Sequence, residues 1–443
     1  MKICVIHSIF PPYARGGAEH VAQAFTRIWP EAEVFVISAM PFSGWASFAG
    51  KWEPLTPTPL PEGEGRVRVF RFTPFNLFTI FNIVKYPPLL RIMWHIIDMF
   101  NLHTYLVARK ILLREKPDLI ITRNLKGLGY TIPLAIRYTL PAYRTGRHAT
   151  RYTTKWIHTL HDESLLHPRG FMEWGKEGAL RNPNPLVRIY RAAARHLFGS
   201  PNAIVAPSRF ILNEYNAAQF FPRSKKFVVP NPVMDIANNS SISPSPQPSP
   251  TRGEGVNRVP SPFMGEGQGE GVRFLYVGQL EPYKGIKLLL SAWQEFVREY
   301  SSATLEIVGQ GSMRDEVDRV SRMFPSVHYR GFVPHDELTQ VFMGATAVIF
   351  PTLAYESFGL VAIESFAAGV PVISSRIGAL PEIIEDGRQG ILITPGDKTE
   401  LLRAMRILIK DGAALRRSAI SRSADFSLAS FQKRMYSVYK GLT

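Results

Sequence analysis

The sequence has little cysteine and no long apolar run. Its 443 residues include one cysteine, Cys4, so an internal disulfide is excluded, and a lone thiol in an apolar strand fits a reducing cytoplasm. The start, MKICVIHSIF, has only four apolar residues between Lys2 and His7, too few for the core of a secretory signal. No apolar run reaches the roughly 18 residues of a transmembrane helix. We therefore expect a cytoplasmic protein.

Negative charge is also scarce. The chain has 36 acidic against 52 basic residues, a formal net charge of +16, which favours anionic partners such as a nucleotide diphosphate or an anionic membrane. We find no helix-turn-helix or RNA-binding aromatic motif and predict no nucleic-acid partner. No acidic residue lies between Asp118 and Asp162, so this segment is either a solvated basic face or a surface for a membrane or an acidic acceptor. Its basic residues are Arg123, Lys126, Arg137, Arg144, Arg147, Arg151 and Lys155.

Two ligand-binding motifs are missing. The dinucleotide fingerprint Gly-x-Gly-x-x-Gly is absent from the turn after the first strand, which argues against a nicotinamide enzyme. No Asp-x-Asp motif occurs, so we expect no bound metal and no cofactor.

What the chain does contain is a regular alternation of strands and helices, which is typical of parallel α/β domains. We predict a first domain at 1–236, a second at 272–420 and a final segment at 421–443. Two Pro/Gly-rich inserts interrupt the pattern, one at about 55–66 and one at 237–271. They share Pro-rich runs followed by Gly-Glu-Gly, and neither can bury a core.

The most informative stretch, residues 350–375, holds two carboxylates, Glu356 and Glu364. Ser357 is a predicted helix N-cap, Gly369 a predicted stop, and residues 370–373 a buried strand. On one helix the two carboxylates would be about 12 Å apart along the axis, whereas a retaining glycosidase needs about 5–5.5 Å. Such a pair around a helix N-terminus suits the two ends of a long ligand with a phosphate between them. The alternative is a solvated carboxylate beside a core helix.

Glycine turns precede several other predicted helices. Gly16 and Gly17 follow the first strand, and Lys284 with Gly285 opens a helix near the start of the second domain. A lysine at a helix start beside a glycine turn suits a diphosphate, because it supplies charge where a leaving group becomes negative. Tight turns without a ligand are the alternative reading.

Taken in order, these segments resemble the retaining glycosyltransferases of the GT-B fold, family four. The resemblance implies two Rossmann-like domains that face a cleft, with a C-terminal helix returning to the first domain. It implies catalytic roles for Glu356 and His161 at the transferred sugar and for Lys284 at the diphosphate, and a ribose contact for Glu364. The remaining residues that it assigns to nucleotide-sugar binding are Gly16, Gly17, Gly278, Gln279, Gly309, Gly331, Phe332, Val333, Phe358, Gly359 and Leu360.

The chain departs from the family pattern at two points. Gln279 stands where the family has an arginine that holds the diphosphate, so Lys284 or another cation must supply that charge. Pro232-Val233 replaces the usual Gly-Val pair at the end of the first domain.

The implied reaction moves a sugar from a nucleotide diphosphate sugar to a hydroxyl acceptor with retention, in cell-surface glycan or glycolipid synthesis. The alternatives are a nucleotide-sugar-binding protein without turnover and a GT-B nucleotide-sugar epimerase. The aromatic and aliphatic segment 74–113 forms either buried helices or a surface that meets a lipid-linked acceptor. With the second reading, the protein contacts an anionic membrane peripherally at its inner face.

Overall fold

A computed structural model describes residues 1–13, 16–54, 67–139, 154–234 and 271–442. The predicted insert at 55–66 and all but the last residue of the one at 237–271 lie outside these ranges, as do Arg144, Arg147 and Arg151.

The first half of the chain forms an eight-stranded sheet of order β3-β4-β2-β1-β5-β6-β7-β8. All neighbouring strands are parallel except β3, which runs antiparallel to β4 at the edge. The inner strands are runs of fully buried aliphatic residues, because helices cover both faces of the sheet. The strands are β1 (Lys2–Ile6), β2 (Glu33–Ala39), β3 (Lys51–Pro54), β4 (Arg68–Phe72), β5 (Leu119–Thr122), β6 (Lys155–Thr159), β7 (Ala203–Ala206) and β8 (Lys225–Val228).

The second half forms a six-stranded parallel sheet of order β11-β10-β9-β12-β13-β14. Its strands are β9 (Arg273–Val277), β10 (Thr304–Val308), β11 (Val327–Gly331), β12 (Ala347–Phe350), β13 (Val372–Ser375) and β14 (Gly390–Ile393). The predicted α/β class and the two Rossmann-like domains are therefore confirmed.

Helices connect the strands and cover the sheets. Those of the first half are α1 (Gly17–Arg27), α2 (Ala46–Ala49), α3 (Pro88–Met99), α4 (Leu102–Glu115), α5 (Ile132–Thr139), α6 (Gly178–Arg181), α7 (Pro185–Phe198) and α8 (Arg209–Ala217). Those of the second half are α9 (Ile286–Glu299), α10 (Arg314–Met323), α11 (Leu338–Phe342), α12 (Leu360–Ala367), α13 (Leu380–Ile383), α14 (Lys398–Ser423) and α15 (Leu428–Lys440). Within the described ranges, none of the helices is both long and apolar enough to span a bilayer.

The last helix packs on the first domain, as predicted. The Phe431 ring on α15 makes an edge contact of 5.1 Å with Phe25 on α1, and Trp29 lies 4.7 Å from the ring of Tyr436. Phe431 and Met435 are buried in the same apolar cluster as strand β1. The helix thus completes the core of a domain to which it is not adjacent in sequence.

Two local predictions were wrong. Ser357 is not the N-cap of α12: the cap is Gly359, at φ 111°, and the Ser357 hydroxyl donates to the carbonyl of His161 in the other domain. The predicted strand at 370–373 begins two residues later, at Val372, because Gly369 and the next two residues complete the turn out of the helix.

The segment 74–113 forms the helices that one reading predicted, but they are not fully buried. Trp94 and Met99 of α3 face the core, whereas Leu89, Ile92 and Ile96 on the same helix are more than half exposed. The second reading, an interfacial surface, therefore remains open.

Candidate active site

A cleft lies where the carboxyl ends of the two sheets face each other. In each sheet the strand order reverses beside the first strand, between β1 and β5 and between β9 and β12, and ligands of open α/β sheets bind at such points. The cleft has a volume of about 820 Å³ and is lined by residues of both halves of the chain. It is large enough for a nucleotide sugar.

Lys284 and Glu356 meet at the centre of this cleft. Lys284 lies at the end of a short 3-10 helix after β9, and Glu356 lies in the loop between β12 and α12. The Lys284 ammonium nitrogen is 2.6 Å from a carboxylate oxygen of Glu356, and that oxygen also accepts from the Thr352 hydroxyl at 3.2 Å. Both side chains are less than 20% exposed, so the pair is a partly desolvated charge pair with few competing waters.

Gly285 makes this arrangement possible. Its φ is +77°, and a β-carbon there would lie 1.8 Å from the carbonyl oxygen of Pro351. The turn that carries Lys284 therefore packs directly on the backbone that leads to Glu356, which only glycine permits.

The N-terminus of α12 points into the cleft beside Glu356. Gly359 caps the helix in the left-handed region and no side chain occupies the cap. The first amides of α12 are thus open to a ligand, and a helix N-terminus with free N–H groups is a site for a phosphate. Phe358, just before the cap, is 3% exposed and packs in an apolar cluster of the second domain, which fixes the loop.

Glu364, one helical turn further along α12, lies at another part of the cleft. Its side chain is 12% exposed, and burial raises its pKa to about 8. The imidazole of His335 lies 4.0 Å from its carboxyl group. His335 in turn stacks on His20 of α1 with ring centroids 4.1 Å apart, so this contact bridges the two domains across the cleft.

His161 faces the cleft from the first domain, just after β6. Its Nε2 lies 3.0 Å from an oxygen of Asp162. Burial would raise the pKa of Asp162, but the charge of His161 and hydrogen bonds with His161 and Ser164 lower it to about 2. Asp162 is therefore ionised at neutral pH and orients the imidazole.

The glycine loop of the first domain closes the cleft on its other side. Gly17 is the first residue of α1, and a β-carbon there would lie 2.4 Å from the Leu360 side chain. The starts of α1 and α12 thus approach each other across the cleft because position 17 has no side chain.

The structure brings nearly all predicted site residues together. Gly331 alone among them is absent from the cleft lining, although Phe332 and Val333, its neighbours, are part of it. Gln279 lies in the lining and accepts a hydrogen bond from the Tyr283 hydroxyl. The lining residues that sequence reasoning did not assign to the site include His20, Arg123 and His335. For Arg123, its place directly after the buried strand β5 was the available signal.

The part of the chain that the structure describes contains no group of three or more His, Cys, Asp or Glu side chains placed to hold a metal ion.

Two family models match the chain. The model described as Glycosyltransferase Family 4 matches residues 15–235, and the model described as Glycosyl transferases group 1 matches residues 271–411. Together they take in the greater part of both domains.

Curated relatives match over part of their length. Glycogen synthase from Mycobacterium tuberculosis is 34% identical over 169 residues, which is 37% of this chain and 41% of that protein. D-inositol 3-phosphate glycosyltransferase from Acidothermus cellulolyticus is 32% identical over 185 residues, which is 39% of this chain and 41% of that protein. The matched region thus spans less than half the length of either relative.

Solved structures share the fold at low identity. Sucrose-phosphate synthase from Thermosynechococcus elongatus has a TM-score of 0.68 at 18% identity, covering 100% of this chain and 98% of that one. Anabaena HepE in complex with UDP-glucose has a TM-score of 0.62 at 16% identity, and the match covers 100% of both chains. The chain therefore belongs to the group 1 glycosyltransferases of family four, and its two parallel-sheet domains have the GT-B fold.

Proposed function

We propose that this protein transfers a sugar from a nucleotide diphosphate sugar to a hydroxyl group of an acceptor, with retention of the anomeric configuration. The observation that carries the proposal is the pairing of Lys284 with Glu356, 2.6 Å apart, at the N-terminus of α12 with Glu364 behind it. A cation and free amides thus lie next to one carboxylate, and a second carboxyl group, that of Glu364, is left for the far end of the ligand.

The proposed roles follow from this order. The diphosphate binds Lys284 and the first amides of α12, which stabilise the charge that develops as it leaves. Glu356 and His161 contact the transferred sugar, and Glu364 accepts hydrogen bonds from the ribose hydroxyls. The departing phosphate oxygen takes the acceptor proton, so no protein base is assigned. Closure of the two domains around the donor keeps water from hydrolysing it.

The test begins with nucleotide binding. Thermal unfolding is measured with UDP, GDP, ADP and their common sugars for the wild type and for Glu364→Gln, with Glu385→Gln as a matched control at an exposed glutamate outside the cleft. A ligand at 100 times its Kd adds about 2.7 kcal/mol of stability, so one nucleotide family should raise Tm in the wild type and the control but not in Glu364→Gln. Equal shifts in all three proteins would overturn the assigned site.

Turnover separates the proposal from its alternatives. With the nucleotide sugar that binds, we expect release of the nucleoside diphosphate to depend on an added acceptor, and NMR of the product to show the donor's anomeric configuration. Conversion of the donor to an epimer would instead support an epimerase. Binding without release across an acceptor panel would support a protein without turnover.

We further propose that the acceptor is lipid-linked and that the protein meets an anionic membrane in cell-surface glycan or glycolipid synthesis. One face of α3 is apolar and exposed, with Leu89 70% and Ile96 57% exposed. Between residues 69 and 114 the only acidic residue is Asp98, which is buried, whereas Lys85 and Arg91 are at least partly exposed. An apolar helical face with cationic flanks is typical of interfacial binding.

This surface is coupled to the cleft through α3. The Asp98 carboxylate accepts from the Gly127 amide at 2.9 Å, and Gly127 belongs to the loop that begins with cleft residue Arg123. A membrane bound at α3 would therefore meet the first domain, which we assign to the acceptor.

Vesicle flotation tests the membrane proposal. We expect the wild type to float with vesicles that contain anionic lipid, and the variant Leu89→Asp/Ile96→Asp to stay in solution, because it places charge on the apolar face. Met323→Asp serves as control, since Met323 is 64% exposed in the other domain. Equal flotation of all three proteins, or none for the wild type, would contradict the proposal.

A further inference from the structure

Arg123 is a charged residue of the cleft that the proposed reaction does not use. It follows β5 directly, its residue is 2% exposed, and its guanidinium lies 4.9 Å from the centre of the Phe25 ring. It nevertheless lines the cleft, on the same wall as His161 and the Gly16-Gly17 loop. The side chain therefore packs on the core at the edge of the ligand space.

In the part of the chain that the structure describes, no side chain pairs directly with this charge. No carboxylate forms an ion pair with Arg123, and its Nε is buried without a hydrogen-bond partner. The charges of Glu19 and Asp162 raise the pKa of Arg123, but neither carboxyl group forms an ion pair with it, and Asp162 is paired with His161. Burial lowers the pKa of Arg123 to about 10, so it stays cationic at neutral pH.

A buried cation without a partner is costly, and an apolar residue of similar size would fit the same position better. Lys284, the other non-histidine cation of the cleft lining, already has Glu356. Arg123 lies on the first-domain wall of the cleft, at the carboxyl end of the first sheet, whereas the α12 N-terminus assigned to the diphosphate belongs to the second domain. A planar guanidinium in that place matches a carboxylate or a phosphate.

Resting on the proposed function, we propose that Arg123 is a binding site for a negatively charged group, a carboxylate or a phosphate, on the sugar that enters the first-domain side of the cleft. The charged group belongs either to the donor sugar, as in a uronate, or to the acceptor, as in a sugar phosphate. Arg123 then completes its ion pair only when the substrate is bound.

The experiment measures binding of charged and neutral sugars in matched pairs. UDP-glucuronate is compared with UDP-glucose for the donor, and glucose 6-phosphate with glucose, with and without UDP, for the acceptor. The proteins are the wild type, Arg123→Gln, Arg123→Lys and Lys126→Gln. Lys126 is a matched control, because it carries the same charge three residues away but donates to the Pro168 carbonyl and does not line the cleft.

We expect one charged sugar to bind the wild type at least about tenfold more tightly than its neutral counterpart, as a charge-assisted hydrogen bond implies. Arg123→Gln should remove this preference, Arg123→Lys should keep part of it, and Lys126→Gln should keep all of it. The pair that shows the preference identifies donor or acceptor. No preference in the wild type, or a preference that survives in Arg123→Gln, overturns the proposal.

Two further measurements distinguish this role of Arg123 from a role in diphosphate binding and from a purely structural role. The affinity for UDP alone should be unchanged in Arg123→Gln, and a loss would instead assign Arg123 to the diphosphate site. Arg123→Gln should keep the Tm of the free protein, since it removes an unpaired buried charge; a lower Tm together with unchanged sugar preference would make the residue structural. If UDP, GDP and ADP all fail to bind the wild type, the proposed function fails, whereas the comparison of glucose 6-phosphate with glucose still tests Arg123.

Discussion

At the scale of single residues, the cleft keeps its charged groups in partly dry surroundings. Glu364 is held with little exposure on α12, and Lys284 and Glu356 neutralise each other in the absence of a ligand. A substrate that replaces these contacts meets groups whose orientation is already set, which lowers the entropy cost of binding.

Glu364 should make stability depend on pH. Its pKa is raised from 4.5 to about 8, so the folded state keeps a proton that the unfolded state loses as pH rises from 4.5 to 8. The wild type should therefore lose up to about 5 kcal/mol over this range relative to Glu364→Gln, which has no such proton. Urea unfolding of both proteins at pH 5 and pH 8.5 measures the difference, and a constant difference would contradict the raised pKa.

Lys284 and Glu356 should differ in their effect on nucleotide binding. Lys284→Gln removes the cation assigned to the diphosphate and should weaken the affinity for UDP by about tenfold or more. Glu356→Gln should leave the affinity for UDP unchanged or raise it, because the substitution frees the lysine from its ion pair. Both variants should lower kcat/KM by about 10²-fold or more. Lys287→Gln, an exposed lysine on α9, is the control for isothermal titration. Weaker UDP binding in Glu356→Gln alone would reverse the assignment.

At the scale of secondary-structure elements, the cleft depends on backbones that approach closely. The turn before α9 touches the β12 loop at Gly285, and the start of α1 touches α12 at Gly17. Helix α8 is tied to the second domain in a different way: the backbone amides of Arg209 and Phe210 donate to the Glu382 carboxylate. A carboxylate there also complements the positive end of the α8 dipole.

A glycine exchange tests the element contact. Gly285→Ala places a methyl group 1.8 Å from the Pro351 carbonyl oxygen at a φ of +77°, so we expect a loss of roughly 2–4 kcal/mol of folding stability and of donor binding. Gly412→Ala is the control, because Gly412 lies inside α14 with no atom near its added β-carbon, and it should gain about 0.5–1 kcal/mol. Chemical denaturation reports both values, and equal stability of the two variants would refute the close packing at Gly285.

Some of the architecture and of the site could be predicted from the sequence, because the patterns that indicate them lie within single segments. Buried strands such as β1 and β5 are continuous aliphatic runs, and the spacing of Glu356 and Glu364 around a helix start is visible in one segment. Contacts between distant loops are not visible in this way. The stacking of His20 on His335 arises only when the two domains pack together, and the placement of Arg123 beside His161 depends on the pairing of β5 with β6.

The wrong prediction of the N-cap also results from a contact between distant segments. Serine before a helix is the statistically preferred cap, but Ser357 faces the other domain and its hydroxyl bonds the His161 carbonyl, so the helix starts at Gly359 instead. A local rule was overridden by a contact that joins residues almost two hundred positions apart in the sequence.

At the scale of the whole molecule, the two domains are joined in two ways. One is a band of hydrogen bonds near the cleft, including that between the Ser208 hydroxyl and the Ser357 carbonyl at 2.7 Å. The other is α15, which leaves the second domain and covers α1 of the first. The second connection makes the stability of the first domain depend on the far end of the described chain.

A substitution at Phe431 tests this dependence. Phe431→Ala removes a ring that is 2% exposed and packed on Phe25, so we expect a loss of about 3–5 kcal/mol. Lys433→Ala, at an exposed position of the same helix, should change stability by less than about 0.5 kcal/mol. Hydrogen exchange should show that Phe431→Ala loosens β1 and α1 more than the second sheet, and uniform loosening would contradict the assignment of α15 to the first domain.

The crossing of α15 also has a consequence for how the protein is made. The side chains of Phe25 and Trp29 leave the ribosome early, whereas the helix that covers them is translated about 400 residues later, after the second domain. The nascent first domain therefore carries an uncovered aromatic patch until α15 has been translated. Holdase chaperones should bind ribosome-attached chains at α1 and release them once α15 has emerged.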